Sequence, residues 1–251
     1  MVDPRASSAF RSSAEAYDRA RPSYPGAAVA ALVEELGLGS KSLVLDLAAG
    51  TGKLTRRLEP LVGRVIAVEP SEEMRALLRR SLPEVEALPG TAEEMPLQDA
   101  SIDAVFVGEA FHWFQAAAAG TEIARVLRRD GGLGLLWNRS SWNEESNPWL
   151  PDFRELLDPH RTAAGPWPAG RGDWEPVLAG LGLFGVPVHR QHGHEQRLSV
   201  DDFVALVSSW SWVANLPESE RSRVLDRVNE LVCESEVVLS YVAETYAIRR
   251  R

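Results

Sequence analysis

Residues that could bind a small molecule are concentrated in Val44–Lys53, which reads Val-Leu-Asp-Leu-Ala-Ala-Gly-Thr-Gly-Lys. An apolar run leads into Asp46, and a turn of small residues follows at Ala48, Gly50 and Gly52. Such a turn exposes backbone N–H groups, and its small side chains let a ligand approach the main chain closely. We therefore predict a ligand site at this turn.

Two phosphate-binding motifs do not fit this turn. A P-loop requires a glycine five positions before Gly52 and Ser or Thr after its lysine, but Leu47 and Leu54 stand there. The dinucleotide fingerprint requires Gly or Ala three positions after Gly52, where this chain has Thr55. The mismatch disfavours a nicotinamide-dependent oxidoreductase.

A second acid follows the next apolar run. Glu69 comes directly after Val65–Val68 and 17 residues after Gly52. A carboxylate at the end of the second strand of a nucleotide-binding sheet can accept hydrogen bonds from both hydroxyls of a ribose. The alternative is a solvated acid that caps the next helix. The upstream turn favours the ribose.

Strands and helices must alternate to place these acids at one edge of a sheet. Apolar runs predict five strands, and apolar stripes with helical spacing separate them. The predicted strands are Leu43–Leu47, Val65–Val68, Val85–Leu88, Ile102–Val107 and Leu133–Trp137. The helical stripes are Leu54/Leu58/Leu61/Val62, Met74/Leu77/Leu78/Leu82 and Ile123/Val126/Leu127, the last ended by Asp130-Gly131-Gly132. This alternation predicts a mostly parallel sheet with helices on both faces.

The second half of the chain is predicted to complete this sheet. The expected elements are helices near Trp149–Leu157 and Trp174–Leu181, a sixth strand at Val186–Gln191, two helices over 200–232 broken at Pro217, and a final strand at Val237–Ile248. We predict one domain over residues 1–251. It would comprise an N-terminal segment at 1–26, a ligand-binding core at 27–138 and a completing part at 139–251, with a helical insertion at about 199–236.

Five ordered segments resemble class I S-adenosylmethionine (SAM)-dependent methyltransferases of the type 11 domain group. They are Val44–Thr55, Val68–Met74, Gly90–Pro96, Ile102–Phe114 and Glu122–Gly132. The family pattern after the first strand is acid-x-Gly-x-Gly-x-Gly, from which this chain departs at Ala48. The resemblance covers residues 40–140 well. It implies an α/β, Rossmann-like, seven-stranded sheet, with SAM as cofactor and S-adenosylhomocysteine as product. It also implies that residues 1–26 form an N-terminal cover over the cofactor and that the insertion at about 199–236 covers the methyl acceptor.

The resemblance also implies which residues bind the cofactor. Glu69 would hold the ribose, Met74 would pack on the adenine, and Arg21 would pair with the methionyl carboxylate, which suits a guanidinium fork. Met74 as helix core and Arg21 as a surface residue are the alternatives. The full implied set is Tyr17, Arg21, Asp46, Ala48, Ala49, Gly50, Thr51, Gly52, Glu69, Pro70, Met74, Ala92, Glu93, Glu109, Ala110 and Phe111.

The segment after the fourth strand should face the methyl acceptor. Methyl transfer from a sulfonium is an in-line displacement, so a base is needed only for a neutral, protonated acceptor. His112 is the first candidate base, because its reference pKa is near neutrality, and Glu109 is the second. The alternative is that His112 only hydrogen-bonds the fold.

Aromatic residues are expected to contact a small apolar or aromatic acceptor, and O-methylation or carboxyl methylation is favoured. These residues are Tyr24, His112, Trp113, Trp137 and Trp210.

Composition narrows the partners and the compartment. A net charge of −9 disfavours nucleic acid, and no apolar run is long enough to cross a membrane. A polar N-terminus without a signal peptide and a lone cysteine, Cys233, predict a cytoplasmic protein, which we expect to be a monomer or homodimer.

Cys233 is predicted to be helix core. His189, His192 and His194 are predicted to be exposed near a turn and to hold no metal. A catalytically inactive SAM-binding sensor is the alternative function.

Overall fold

The computed structural model describes residues 18–164 and 174–251 of the chain. Tyr17, predicted as a cofactor contact, and residues 1–17 of the predicted cover lie outside these ranges. Along the described chain, no helix is both long enough and apolar enough to cross a membrane.

Seven strands form one mixed sheet in the order β3-β2-β1-β4-β5-β7-β6. The strands are β1 (Leu43–Leu47), β2 (Arg64–Val68), β3 (Glu86–Leu88), β4 (Ile102–Gly108), β5 (Leu127–Ser140), β6 (Val188–Ser199) and β7 (Glu236–Arg249). Neighbouring strands from β3 to β5 are parallel, whereas β7 is antiparallel to both β5 and β6. The predicted seven-stranded, mostly parallel sheet is confirmed.

Nine α-helices and one 3₁₀ turn connect the strands within the described ranges. They are α1 (Gly26–Glu35), α2 (Thr55–Leu58), α3 (Glu72–Ser81), the 3₁₀ turn (Phe111–Trp113), α4 (Ala116–Val126), α5 (Leu150–Ala163), α6 (Trp174–Gly180), α7 (Val200–Ser208), α8 (Ser211–Ala214) and α9 (Glu218–Leu231). Ser71 caps the N-terminus of α3, because its Oγ accepts a hydrogen bond from Met74 N at 3.3 Å. The predicted break at Pro217 is also confirmed, since α9 begins just after it.

Several sequence-based boundaries are wrong. The second helix ends at Leu58, and the helix predicted to reach residue 130 ends at Val126, because Leu127 already pairs with Ile102 in the sheet. The three histidines lie inside β6 rather than near a turn, since β6 pairs with β7 over its whole length. Cys233 is exposed, because it follows the end of α9 instead of lying within it.

Aromatic side chains fill two separate cores. Trp137 and Trp174 stack at 6.1 Å within the core on one face of the sheet. Trp149 packs on Phe153 and Phe203, which join α5 to the helices between β6 and β7. All three tryptophans are at least 93% buried and therefore serve packing.

Candidate functional site

A cavity of about 350 Å³ opens beyond the carboxyl ends of β1, β4 and β5. Nine of the predicted site residues line it: Arg21, Tyr24, Asp46, Ala48, Ala49, Gly50, Thr51, Glu109 and Trp210. Nine further lining residues were not predicted: Pro22, Lys53, Leu54, Gly108, Asn138, Ser140, Trp142, Leu206 and Tyr241. The cavity therefore joins the Gly-rich turn to residues from the second half of the chain.

The Gly-rich turn is built from left-handed backbone. Ala48, Gly50 and Gly52 have φ values of 56°, 56° and 87°. A left-handed conformation costs a non-glycine residue about 1–2 kcal/mol, so the departure at Ala48 is a backbone strain as well as a steric change. A Cβ at Gly50 would meet nothing within 4 Å, whereas one at Gly52 would approach Leu78 within 3.1 Å. Gly50 thus leaves room for a ligand, and Gly52 lets α3 pack on the turn.

Glu69 is held at the end of β2 by two backbone donors. Gly50 N donates to its Oε2 at 3.0 Å, and Ser71 N donates to its Oε1 at 2.8 Å. Its exposure is 7%, and this burial raises the pKa of the carboxyl, while the two N–H bonds act in the opposite direction. A carboxylate oxygen has two acceptor sites, so each can still receive a ligand hydroxyl.

Asp46 is the most deeply buried acid of the cavity. Its exposure is 1%, and Thr55 Oγ1 donates to its Oδ2 at 2.6 Å. Burial raises the pKa of Asp46 to about 7, with a further rise from the charge of Glu69, while hydrogen bonds from Thr55 oppose the shift. Asp46 is therefore the carboxyl of this cavity that changes charge near neutral pH.

Asp18, which the sequence did not single out, ties the N-terminal segment to the Gly-rich turn. Its carboxylate accepts a hydrogen bond from Thr51 Oγ1 and lies 3.4 Å from Arg56 Nη1 and 3.8 Å from Lys53 Nζ. Lys53 Nζ also donates to the Asp18 backbone O. Burial lowers the pKa of Lys53, and the charge of Asp18 opposes this effect.

An aromatic wall forms the other end of the cavity. Trp142 lies 6.0 Å from Trp210 and 6.2 Å from Tyr241, edge-on to the latter. Burial is the main reason that the pKa of Tyr241 is raised. Tyr24 completes this end beside Gly108, where an added Cβ would lie only 2.3 Å from the Tyr24 hydroxyl. Gly108 is thus required for Tyr24 to reach the cavity.

Asn138, near the end of β5, contacts the segment after β4, strand β6 and the N-terminal segment. Its backbone N donates to Glu109 Oε1, its Oδ1 lies 2.8 Å from His194 Nε2, and its Nδ2 donates to Ser23 O at 3.4 Å. The His194 ring also stacks on Tyr241 at 5.4 Å. Among the described residues, His189, His192 and His194 take part in no cluster of three metal-binding side chains.

Three of the residues predicted to meet the acceptor lie outside the cavity lining. His112 Nδ1 accepts a hydrogen bond from Trp137 Nε1 at 3.3 Å, and Trp113 packs beside His112 at 5.0 Å. Burial, with a smaller effect of Arg21, lowers the pKa of His112 to about 4. Trp137 faces the core because neighbouring residues of a strand point to opposite faces, so it is Asn138 that faces the cavity.

The remaining predicted cofactor contacts surround the turn without lining the cavity. Met74, Ala92 and Phe111 are buried, Pro70 is exposed, and Ala110 packs on the core of the sheet. Glu93 accepts a hydrogen bond from Gln115 N at 3.0 Å, just before α4 begins. Their roles at the cofactor stay predictions.

Comparisons with known proteins agree with this arrangement. A family model described as a methyltransferase domain matches residues 45–135. An uncharacterized methyltransferase from Mycobacterium tuberculosis is 40% identical over 226 residues, which cover 89% of this chain and 85% of that protein. An uncharacterized methyltransferase-like protein from Schizosaccharomyces pombe is 32% identical over 223 residues, which cover 88% and 85%.

A solved structure shares the fold. It is provisionally described as a type II methyltransferase from Anaeromyxobacter dehalogenans, with a TM-score of 0.65 and 22% identity over 92% of this chain and 97% of that one. The family match lies within the predicted resemblance at 40–140, and the M. tuberculosis and S. pombe relatives extend it to most of the chain. An inactive sensor is therefore not favoured. The chain belongs to the class I SAM-dependent methyltransferases, in the type 11 domain group.

Proposed function

We propose that this enzyme transfers a methyl group from SAM to a small apolar or aromatic molecule. The observation that carries the proposal is that one cavity has the Gly-rich turn at one end and the wall of Trp142, Trp210 and Tyr241 at the other. Most ligand sites of this kind combine apolar walls with a few placed polar groups. The net charge of −9 favours a free small-molecule acceptor over nucleic acid, and we expect a cytoplasmic monomer or homodimer.

The residues at the turn fit SAM by their chemistry. Glu69 is oriented to accept the ribose hydroxyls, and Arg21 provides a guanidinium for the methionyl carboxylate. The open side of Gly50 admits the ligand next to the backbone. When bound, SAM supplies a methyl group on a sulfonium, whose sulfur leaves as a thioether. The protein then aligns the acceptor and excludes water.

We favour O-methylation, either of a hydroxyl or of a carboxylate. A hydroxyl acceptor needs a base, and Glu109 is now the better candidate because it lines the cavity. His112, the first candidate from the sequence, becomes the second because it lies outside the cavity lining. A carboxylate acceptor is already an anion and needs no base.

A screen with radiolabelled SAM tests the proposal. We would incubate the purified enzyme with small phenols, alcohols and carboxylic acids, and follow label transfer to the organic phase. Glu69→Ala, which removes the ribose contact, serves as a control with weakened cofactor binding, assayed at a SAM concentration below the wild-type Kd. Labelled product from at least one acceptor class, formed at a clearly lower rate with Glu69→Ala, supports the proposal. Binding of S-adenosylhomocysteine without transfer to any small molecule would contradict it.

A further inference from the structure

Arg21 makes two well-formed hydrogen bonds with the helical insertion between β6 and β7. Its Nε donates to Ser209 Oγ at 2.8 Å, and its Nη2 donates to the backbone O of Ser209, also at 2.8 Å. The two acceptors belong to one residue and match the fork of a guanidinium. The contact joins positions 188 residues apart in the sequence.

Ser209 is itself held in a fixed orientation. It is only 5% exposed, and its backbone N donates to Ala205 O and Leu206 O at 3.1 Å each. Its hydroxyl donates to Leu206 O at 2.6 Å. Because a hydroxyl has one proton, this bond leaves only acceptor lone pairs on the side that faces Arg21. Ser209 therefore presents two rigid acceptors to the guanidinium.

The chain around Arg21 is anchored on both sides of the cavity. Asp18 binds Thr51 of the Gly-rich turn, and Gln196 Nε2 of β6 donates to Ala20 O at 2.8 Å. A guanidinium has five N–H donors, and the two bonds to Ser209 use one donor each from Nε and Nη2. Arg21 also lines the cavity together with the turn.

We propose that Ser209 is a positioning residue, which holds the Arg21 guanidinium in the orientation that receives the methionyl carboxylate of the cofactor. The inference rests on the proposed function, because it needs a ligand with that carboxylate. Ser209 precedes Trp210, which belongs to the acceptor wall. Cofactor recognition and the position of the acceptor wall are thereby linked through one side chain.

Two ligands separate this role from a general structural one. S-adenosylhomocysteine carries the carboxylate, whereas 5′-methylthioadenosine keeps the nucleoside and the thioether but lacks the amino-acid end. By calorimetry, we expect Ser209→Ala to weaken S-adenosylhomocysteine about three- to tenfold, since a hydrogen bond to a charged group is lost. Its affinity for 5′-methylthioadenosine should stay within about twofold of wild type, because that ligand does not need Arg21.

Matched variants complete the test. Ser208→Ala removes the neighbouring hydroxyl, which donates to Ala205 O at 2.9 Å and does not contact Arg21, so it should leave both affinities unchanged. In an Arg21→Gln background, Ser209→Ala should have no further effect on S-adenosylhomocysteine. Equal affinities of wild type and Ser209→Ala, or equal losses for both ligands, would overturn the positioning role. A wild-type enzyme that binds neither ligand would overturn the proposed function as well.

Discussion

The backbone N–H of Asn138 donates a hydrogen bond to the Glu109 carboxylate, which joins the segment after β4 to the end of β5. Both residues line the cavity between the Gly-rich turn and the aromatic wall. Glu109 has a φ of 55°, a conformation that non-glycine residues rarely adopt, and its backbone N donates to Leu136 O at 2.9 Å. The Glu109 carboxylate is therefore held by the main chain of Asn138, and the Glu109 backbone is held by Leu136.

Replacing Glu109 tests whether this carboxylate acts as a base. With a hydroxyl acceptor, Glu109→Gln should lower turnover about a hundred- to ten-thousand-fold and leave the affinity for S-adenosylhomocysteine nearly unchanged. His112→Gln should have a smaller effect, because His112 lies outside the cavity lining and accepts a hydrogen bond from Trp137. Any increase of the rate that depends on deprotonation of His112 should occur near its pKa of about 4. Steady-state kinetics across pH would compare the turnover of the two variants with that of wild type. A larger loss in His112→Gln would reverse the assignment.

Glu69→Ala should weaken SAM binding roughly tenfold or more. The variant loses hydrogen bonds between a carboxylate and the ribose hydroxyls, each worth about 1.5–3 kcal/mol at most. Calorimetry with SAM measures the change, and the exposed Glu84→Ala serves as the control. If wild type and Glu69→Ala bind SAM equally, Glu69 does not belong to the cofactor site.

Asp46 should make stability fall as pH rises from about 4 to about 7. Its pKa is raised in the folded protein, so the folded state binds more protons than the unfolded state over this range. His112, with a lowered pKa, contributes the opposite slope between about pH 4 and its ordinary value. Asp46→Asn removes only the first effect. The variant should gain stability over wild type by up to about 1.4 kcal/mol per pH unit from 4 to 7.

Urea unfolding at several pH values measures this difference. The exposed Asp99→Asn provides a matched control, because Asp99 is an acid paired with Arg125 outside the cavity. A stability difference between Asp46→Asn and wild type that stays constant from pH 4 to 7 would show that the Asp46 carboxyl titrates alike in both states.

Ala48→Gly should stabilise the protein by about 0.5–1 kcal/mol. The substitution relieves the left-handed strain at φ 56°, although glycine gives back part of the gain through the flexibility of the unfolded chain. The neighbouring Ala49 does not have a positive φ, so Ala49→Gly should instead destabilise the protein by about 0.5–1 kcal/mol. Denaturant unfolding compares the two, and equal losses would contradict the strain at Ala48.

The Gly-rich turn and the acids beside it could be located from the sequence because they are local. Asp46 lies within β1, and Gly50 and Glu69 follow β1 and β2, buried parallel strands whose continuous apolar runs are easy to find and whose carboxyl ends meet at one edge. The strain at Ala48 was not predictable, since its φ depends on the folded turn. Asp18 was missed because nothing in its neighbourhood marks it as the partner of Thr51.

The residues at the aromatic end of the cavity could not be predicted in the same way. Ser140 and Tyr241 are register partners in β5 and β7, about a hundred residues apart, and only the strand order brings them together. Which face a residue occupies also depends on register, so the sequence could not distinguish Trp137, which faces the core, from Asn138, which faces the cavity. Long-range pairing of this kind leaves no local signal.

The place of β7 has a consequence for the order of assembly. β7 follows β6 in the chain but lies between β5 and β6 in the sheet. β6 therefore joins the sheet only through β7, and the three helices between these strands are carried with them. We expect the parallel part of the sheet, β1 to β5, to form early from neighbouring elements, because short loops close at low entropic cost. Tyr241 is carried by β7, so we expect the aromatic end of the cavity to form after the Gly-rich turn.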